Sequence, residues 1–239
     1  MSIGFGHRAR IGHIYPSGGI CDHEIQLMAP DGVQFLTTRL PFRRTGLADD
    51  RAMTAGVAAA ATLLADAEVD LIAFNCTAAS MLAGPEVIRE KVASATGGVG
   101  CVTTIEAVLQ ALAAVGASRI ALLDPYPVEV EEAEVAYLAE HAITVVASAG
   151  PACDTPVEQG LIPAAEWVRL AAGLDTSSAD AVLISCAGTQ TAAAIAPIEE
   201  QTGLPVVTSN QALLWLVLAS CGINDPLPAY GRLLTEPRT

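Results

Sequence analysis

The chain predicts an α/β fold of two related halves, each a mainly parallel sheet flanked by helices. Three observations predict it. Short apolar runs alternate with helix-length segments along the 239 residues, the pattern of parallel strands covered by helices on both faces. Residues 69–80 (VDLIAFNCTAAS) and 179–191 (ADAVLISCAGTQT) repeat one device: an acidic residue, a short apolar run, a cysteine, then small residues and hydroxyls. The echo continues beyond Cys76 and Cys186. Thr96-Gly97 precedes Val102-Thr103 and Ala107, and Thr202-Gly203 precedes Val207-Thr208 and Ala212. The division predicted is 1–104 plus 208–239 as one half and 105–207 as the other, with the chain crossing between them.

Taken in order, residues 10–15 (RIGHIY) predict a first strand, broken by Pro16-Ser17-Gly18-Gly19. Residues 33–38 predict a second. Residues 49–67 are Ala-rich, and Asp49 and Asp50 suit the start of one long helix. Residues 70–75 predict the strand that carries Cys76 at its carboxyl end. Pro85 opens a helix that Gly97-Gly98 closes. Residues 99–102 predict a strand, and Thr103 or Thr104 caps a helix running to Val115. Residues 119–123 predict a strand, stopped by Asp124-Pro125-Tyr126-Pro127. An acidic helix follows over 128–141, its EVEEAE run (129–134) read as a solvated face, then a strand over 143–147. Residues 150–163, with Pro151, Pro156, Gly160 and Pro163, predict a loop. Residues 164–172 predict a helix, 181–185 the second cysteine strand, 191–201 a helix and 204–207 a strand. Ser209 caps a last apolar helix ending before Gly222.

Composition narrows the function. The chain is 52% hydrophobic, ample for a sizeable core. A net charge of −14 repels the nucleic-acid backbone and anionic lipid, so neither is an expected partner. The longest apolar run, residues 212–220, is far below the ~20 residues of a membrane span. The amino terminus shows no apolar stretch of signal-peptide length. Six cysteines without CxxC spacing predict reduced thiols in a cytosolic protein. His7, His13, His23 and His141 have no metal-ligand spacing, so no metal is expected. The PSGG segment is not a nucleotide-binding loop.

The chemistry therefore rests on Cys76 and Cys186. An ordinary thiol has a pKa of about 8.5, and backbone N–H groups or hydroxyls can lower it. A facing pair can act as base and acid across one carbon, or one thiol can add to an activated carbon while the other manages a proton. The competing reading is two small core residues, since free cysteine is commonly buried. Ser17, Thr77, Thr103, Thr104, Tyr126, Ala187, Gly188, Thr189, Thr208 and Ser209 surround the predicted strand ends, with Thr104 and Ser209 weighted as helix caps. No Arg or Lys lies in these loops, so a carboxylate would be held by neutral donors.

The motifs RIGHIYPS, AFNCTAAS, ALLDPY, LISCAGT, TGLPVVTSNQA and YGRLL make the chain resemble the aspartate/glutamate racemase superfamily. Within it, the chain is similar to the branch of maleate cis–trans isomerases and arylmalonate decarboxylases, over residues 11–234. That resemblance implies two Rossmann-like halves with the active site between them, no cofactor, and a homodimer or homotetramer. It implies Cys76 as the nucleophile on an alkene carbon and Cys186 as general acid/base. Thr77, Ala78, Tyr126, Ala187, Gly188, Ser17, Thr208 and Asp154 are the implied substrate contacts. The chain departs from the isomerases at Gly18-Gly19 and at Cys153-Asp154-Thr155, where they carry asparagines, and at Ala187, where they carry threonine. It departs from the decarboxylases at Cys76, where they carry glycine, and at Ala78, where they carry serine. The expected activity is isomerisation of a small carboxylate, maleate first. The alternatives are an amino-acid or hydantoin-type racemase, a substituted-malonate decarboxylase, and a carboxylate-binding sensor.

Overall fold

A computed structural model describes residues 5–235. The first sheet is built from β1 (Ala9–Pro16), β2 (Val33–Leu40), β3 (Leu71–Phe74) and β4 (Cys101–Thr103), in the order β2-β1-β3-β4. The second is built from β5 (Arg119–Leu123), β6 (Thr144–Ala149), β7 (Ala181–Ile184) and β8 (Val206–Thr208), in the order β6-β5-β7-β8. Every pairing is parallel. The matching orders make β3 the counterpart of β7, so the repeated cysteine device is a repeated structural position.

Eleven helices complete the described residues: α1 (Glu24–Met28), α2 (Leu47–Met53), α3 (Val57–Ala65), α4 (Thr77–Ala83), α5 (Pro85–Thr96), α6 (Thr104–Ala114), α7 (Val128–Glu140), α8 (Pro156–Leu161), α9 (Ala164–Gly173), α10 (Ala192–Thr202) and α11 (Ser209–Ser220). Side-chain alternation on the strands divides the core. Ile72 and Phe74 of β3 face Val57, Ala61, Leu64 and Ile88 on one side. Leu71 and Ala73 face a central layer, where Val108 and Leu112 of α6 meet Leu214 and Leu218 of α11. The second sheet repeats this: Ile120 and Leu122 join the same central layer, and Ala121 and Leu123 turn toward Trp167 and Ile195. One continuous core therefore lies between the two sheets and fixes them relative to each other.

Three expectations change. The long helix over 49–67 is two helices, α2 and α3, separated by a 3-10 turn over Thr54–Gly56. Ala-richness gave the helical propensity, but Gly56 packs where a Cβ would stand 2.8 Å from the Leu40 side chain, and the chain redirects there. The loop over 150–163 contains α8. Its start is a capping box, Thr155 accepting from the Glu158 N–H while Glu158 reaches back, with Pro156 at the first turn. The acidic helix is not solvated along its whole EVEEAE run, because Val130 and Glu134 are buried. Short helices α1 and α4 were not anticipated.

Candidate active site

Each sheet changes direction once: β1 and β3 lead away from their shared border in opposite senses, and β5 and β7 do the same. Ligands of open α/β sheets bind outside the carboxyl ends at such switch points. Here two switch points face one small cavity. Pro16 and Gly19 follow β1, Cys76, Thr77 and Ala78 follow β3, Tyr126 follows β5, and Cys186, Ala187 and Gly188 follow β7. Phe42, Thr45, Asp50, Pro156 and Gln159 complete the lining, with Gln159 and Thr45 in hydrogen-bond contact. A larger, shallower groove at the opposite strand ends, beside Gln110, Asp180 and Trp215, contains neither cysteine.

Cys76 and Cys186 are both buried and unpaired, like the chain's other cysteines in forming no disulfide. Burial raises both thiols well above their ordinary range, so each rests as S–H. Their partners differ. The Cys76 thiol donates toward Asp50 Oδ1 at 3.8 Å. The Cys186 thiol donates to Gln159 Oε1 at 3.5 Å and accepts from the Gly188 N–H at 3.3 Å. The Tyr126 hydroxyl lies beside Cys186 and Ser185. Cys186 has a φ of +93°, a strained backbone for a residue with a side chain, of the kind that clusters at functional sites. Gly188 keeps that corner tight: a Cβ there would sit 3.2 Å from Gln159 Oε1 and 3.3 Å from Cys186 Sγ.

A buried polar network holds the two cysteine loops in register. Asn75, which precedes Cys76, donates to Asn210 Oδ1 at 2.9 Å and to His13 Nε2 at 3.1 Å. Asn210 donates in turn to Glu24 Oε2 at 2.6 Å and to the Ala187 carbonyl, next to Cys186, at 3.2 Å. Glu24 accepts the Thr191 and Ala192 N–H groups that open α10, a favourable place for a carboxylate. His13 is pushed down to about 4 by burial, so it is neutral. It accepts from Asn75 at Nε2 and donates to Thr37 Oγ1 through Nδ1.

Of the sequence-derived candidates, Cys76, Thr77, Ala78, Tyr126, Cys186, Ala187 and Gly188 line the cavity together. Three do not. Ser17 is exposed, and its hydroxyl is engaged with the Phe42 backbone. Thr208 is the N-cap of α11, locked in a capping box with Gln211. Asp154 is exposed and contributes its carbonyl, which accepts the Thr45 N–H at 2.9 Å. The two expected caps are not caps either. Thr104 bonds the Phe74 carbonyl and Asn75 Oδ1 at 3.0 Å each, and Ser209 pairs with the Thr77 hydroxyl at 2.8 Å. Gly18-Gly19 has a packing reason: a Cβ on Gly19 would meet the Tyr15 ring at 2.5 Å, and Tyr15 holds the Ala187 carbonyl.

The family profile described as arylmalonate decarboxylase matches residues 11–234. The chain belongs to the arylmalonate decarboxylase family. A maleate isomerase of Pseudomonas putida is 27% identical, the match covering 95% of this chain and 97% of that one. An arylmalonate decarboxylase of Bordetella bronchiseptica is 32% identical over 58% of this chain and 59% of its own. Among solved structures, a cysteine-to-serine variant of the Nocardia farcinica maleate cis-trans isomerase, with a covalently bound succinylcysteine intermediate, superposes with a TM-score of 0.88. It is 26% identical and covers 95% of this chain and 98% of that one.

Asp50, Thr45 and Gln159 are the polar cavity residues of this family member that the sequence did not disclose, beside the apolar Phe42 and Pro156. Asp50 read as a helix-start acid, and Gln159 lay in a Pro-rich stretch read as loop. The one available signal was the Thr155-x-x-Glu158 capping box, which places a helix, and hence Gln159, against the strand ends.

Proposed function

We propose that this chain is a cofactor-independent isomerase of a small unsaturated dicarboxylate, with maleate as the substrate and fumarate as the product. Cys76 is the nucleophile and Cys186 the general acid/base. The observation that carries this reading is the pair of buried thiols, brought from equivalent strand ends to one cavity whose described lining has no Arg or Lys. The covalent succinylcysteine of the Nocardia farcinica relative is an adduct of the kind such a pair forms.

The Cys76 thiol gives up its proton to a base within the cavity as its sulfur bonds to one alkene carbon, and the π electrons move to the neighbouring carbon. Cys186 gives that carbon its proton. The resulting single bond rotates, Cys186 takes the proton back, and the C–S bond breaks to leave the trans alkene while the Cys76 sulfur recovers its own proton. Thr77, Tyr126 and the backbone N–H groups of Ala78 and Gly188 hold the carboxylates through neutral donors in a water-poor cavity, where such donors act strongly. We also read the protein as a homodimer or homotetramer of the reducing cytosol. The free thiols suit that compartment, and no helix among the described residues is long and apolar enough to cross a membrane.

A proton NMR time course with maleate under reducing conditions tests the reaction. Growth of the fumarate signal is expected, with Cys76→Ala and Cys186→Ala each slowed about a thousandfold or more while keeping the wild-type melting curve. Full activity in either variant overturns the paired-thiol mechanism. Carbon dioxide release from a substituted malonate, without fumarate, would assign the decarboxylase chemistry of the Bordetella bronchiseptica relative instead.

A further inference from the structure

Asp50 is a carboxylate whose single backbone hydrogen bond engages only one of its two oxygens. It is 1% exposed, it lines the cavity, and no ion pair links it to a base among the described residues. Burying an acid without a counter-charge is costly. The break between α2 and α3 turns it inward instead of leaving it on a solvated helix start. One oxygen is fixed: the Gly46 N–H donates to Oδ2 at 3.1 Å. The other, Oδ1, is aimed at the Cys76 thiol at 3.8 Å.

We propose that Asp50 is the general base for Cys76, taking the thiol proton as the sulfur bonds to the substrate carbon. This rests on the reading of Cys76 as nucleophile. In the forward step the S–H bond breaks, an O–H bond forms on Asp50 Oδ1, and the S–C bond forms. The alkene π pair moves to the second carbon, which receives the Cys186 proton. In the reverse step Cys186 recovers its proton, the C–S bond breaks, and the departing sulfur takes the proton back from Asp50. No electrons leave the system and no co-reactant is consumed.

Burial pushes Asp50 up to about 7, against the Gly46 and Cys76 hydrogen bonds that pull it down. A carboxyl so placed is half-ionised near neutral pH, where a general base is most useful. The titratable groups around it are Cys76, Cys186 across the cavity, Asp49 on its own helix, and Glu129 of α7, whose carboxylate lies beside Gly46. None is a cation. Cys76 needs such a base because its own burial and the Asp50 charge hold it as a thiol.

The test is the rate of Cys76 alkylation by iodoacetamide across pH 5.5 to 9, followed by peptide mass spectrometry, in the wild type and in Asp50→Asn. Asparagine keeps the Gly46 bond, and a melting curve checks the fold. The expected result is an alkylation rate that rises through pH ~7 in the wild type. In the variant that rise is lost and the neutral-pH rate falls at least about tenfold, with kcat on maleate down about a hundredfold. Asp50→Glu should recover part of both. A like charge without base function predicts the opposite, since removing it would lower the thiol's pKa and speed alkylation. Faster or unchanged alkylation in Asp50→Asn overturns the proposal. If maleate is not turned over, the alkylation profile still decides the Asp50 assignment, and only the substrate reading falls.

Discussion

At the residue scale, two thiols of the same type are set apart by what touches them. Cys76 faces an acid, and Cys186 faces an amide, a phenol and a backbone N–H. Gln159 is the hinge of that difference: its Oε1 accepts from Cys186 while its Nε2 donates to Thr45 Oγ1 at 2.8 Å. Gln159→Leu is expected to release the Cys186 thiol, lowering kcat about tenfold or more while changing KM less, a split that steady-state kinetics with maleate resolves. The cysteines, Thr77 and Tyr126 were legible because each sits where a predicted strand ends. Asp50 and Gln159 were not. They come from short helices whose direction depends on packing against Leu40 and on a capping box, which residue type alone does not reveal.

At the element scale, the parallel strands and the longer helices follow from apolar runs, Pro starts and Gly stops, as at Pro85 and Gly97. The short helices near the site do not, because each is only five to seven residues long, too short to show a helical period, and α8 alone is announced by a capping box. Threonine is the clearest case. Thr208 and Ser209 are adjacent, and the sequence ranked the first as a ligand and the second as a cap; the structure makes Thr208 the cap and turns Ser209 to Thr77. Thr208→Ala should therefore lower stability by about 1 kcal/mol in urea unfolding and leave KM for maleate where it is. A large rise in KM at unchanged stability would contradict the assignment.

At the scale of the whole molecule, the two sheets share one central core, and buried acids add a cost that depends on pH. Glu134, expected on a solvated face, is pushed up to about 8 by burial and by nearby Asp124, itself raised to about 7 chiefly by burial, with Glu131 adding to both. Ser185 donates to Glu134 Oε1 at 2.5 Å, and Oε2 has no partner. A folded-state pKa above the ordinary carboxylate value means that the folded chain holds the proton longer than the unfolded one. Stability from this group is complete below pH ~4.5 and is lost as pH rises toward 8. Glu134→Gln should accordingly raise the Tm relative to wild type by several degrees more at pH 8.5 than at pH 5.5, in paired calorimetric scans. Fold class and pseudo-symmetry were legible because a repeated motif needs no knowledge of packing. The Asn75–Asn210–Glu24 network was not, since it joins residues more than a hundred positions apart.

In the proposed reaction Cys76 forms a bond to the substrate while Cys186 moves the proton. Mass spectrometry of Cys186→Ser after incubation with maleate tests this division of labour, because weakening the proton carrier should let the adduct accumulate. A succinyl group is expected on the peptide that carries Cys76. Absence of any adduct, or one on another cysteine alone, would contradict it.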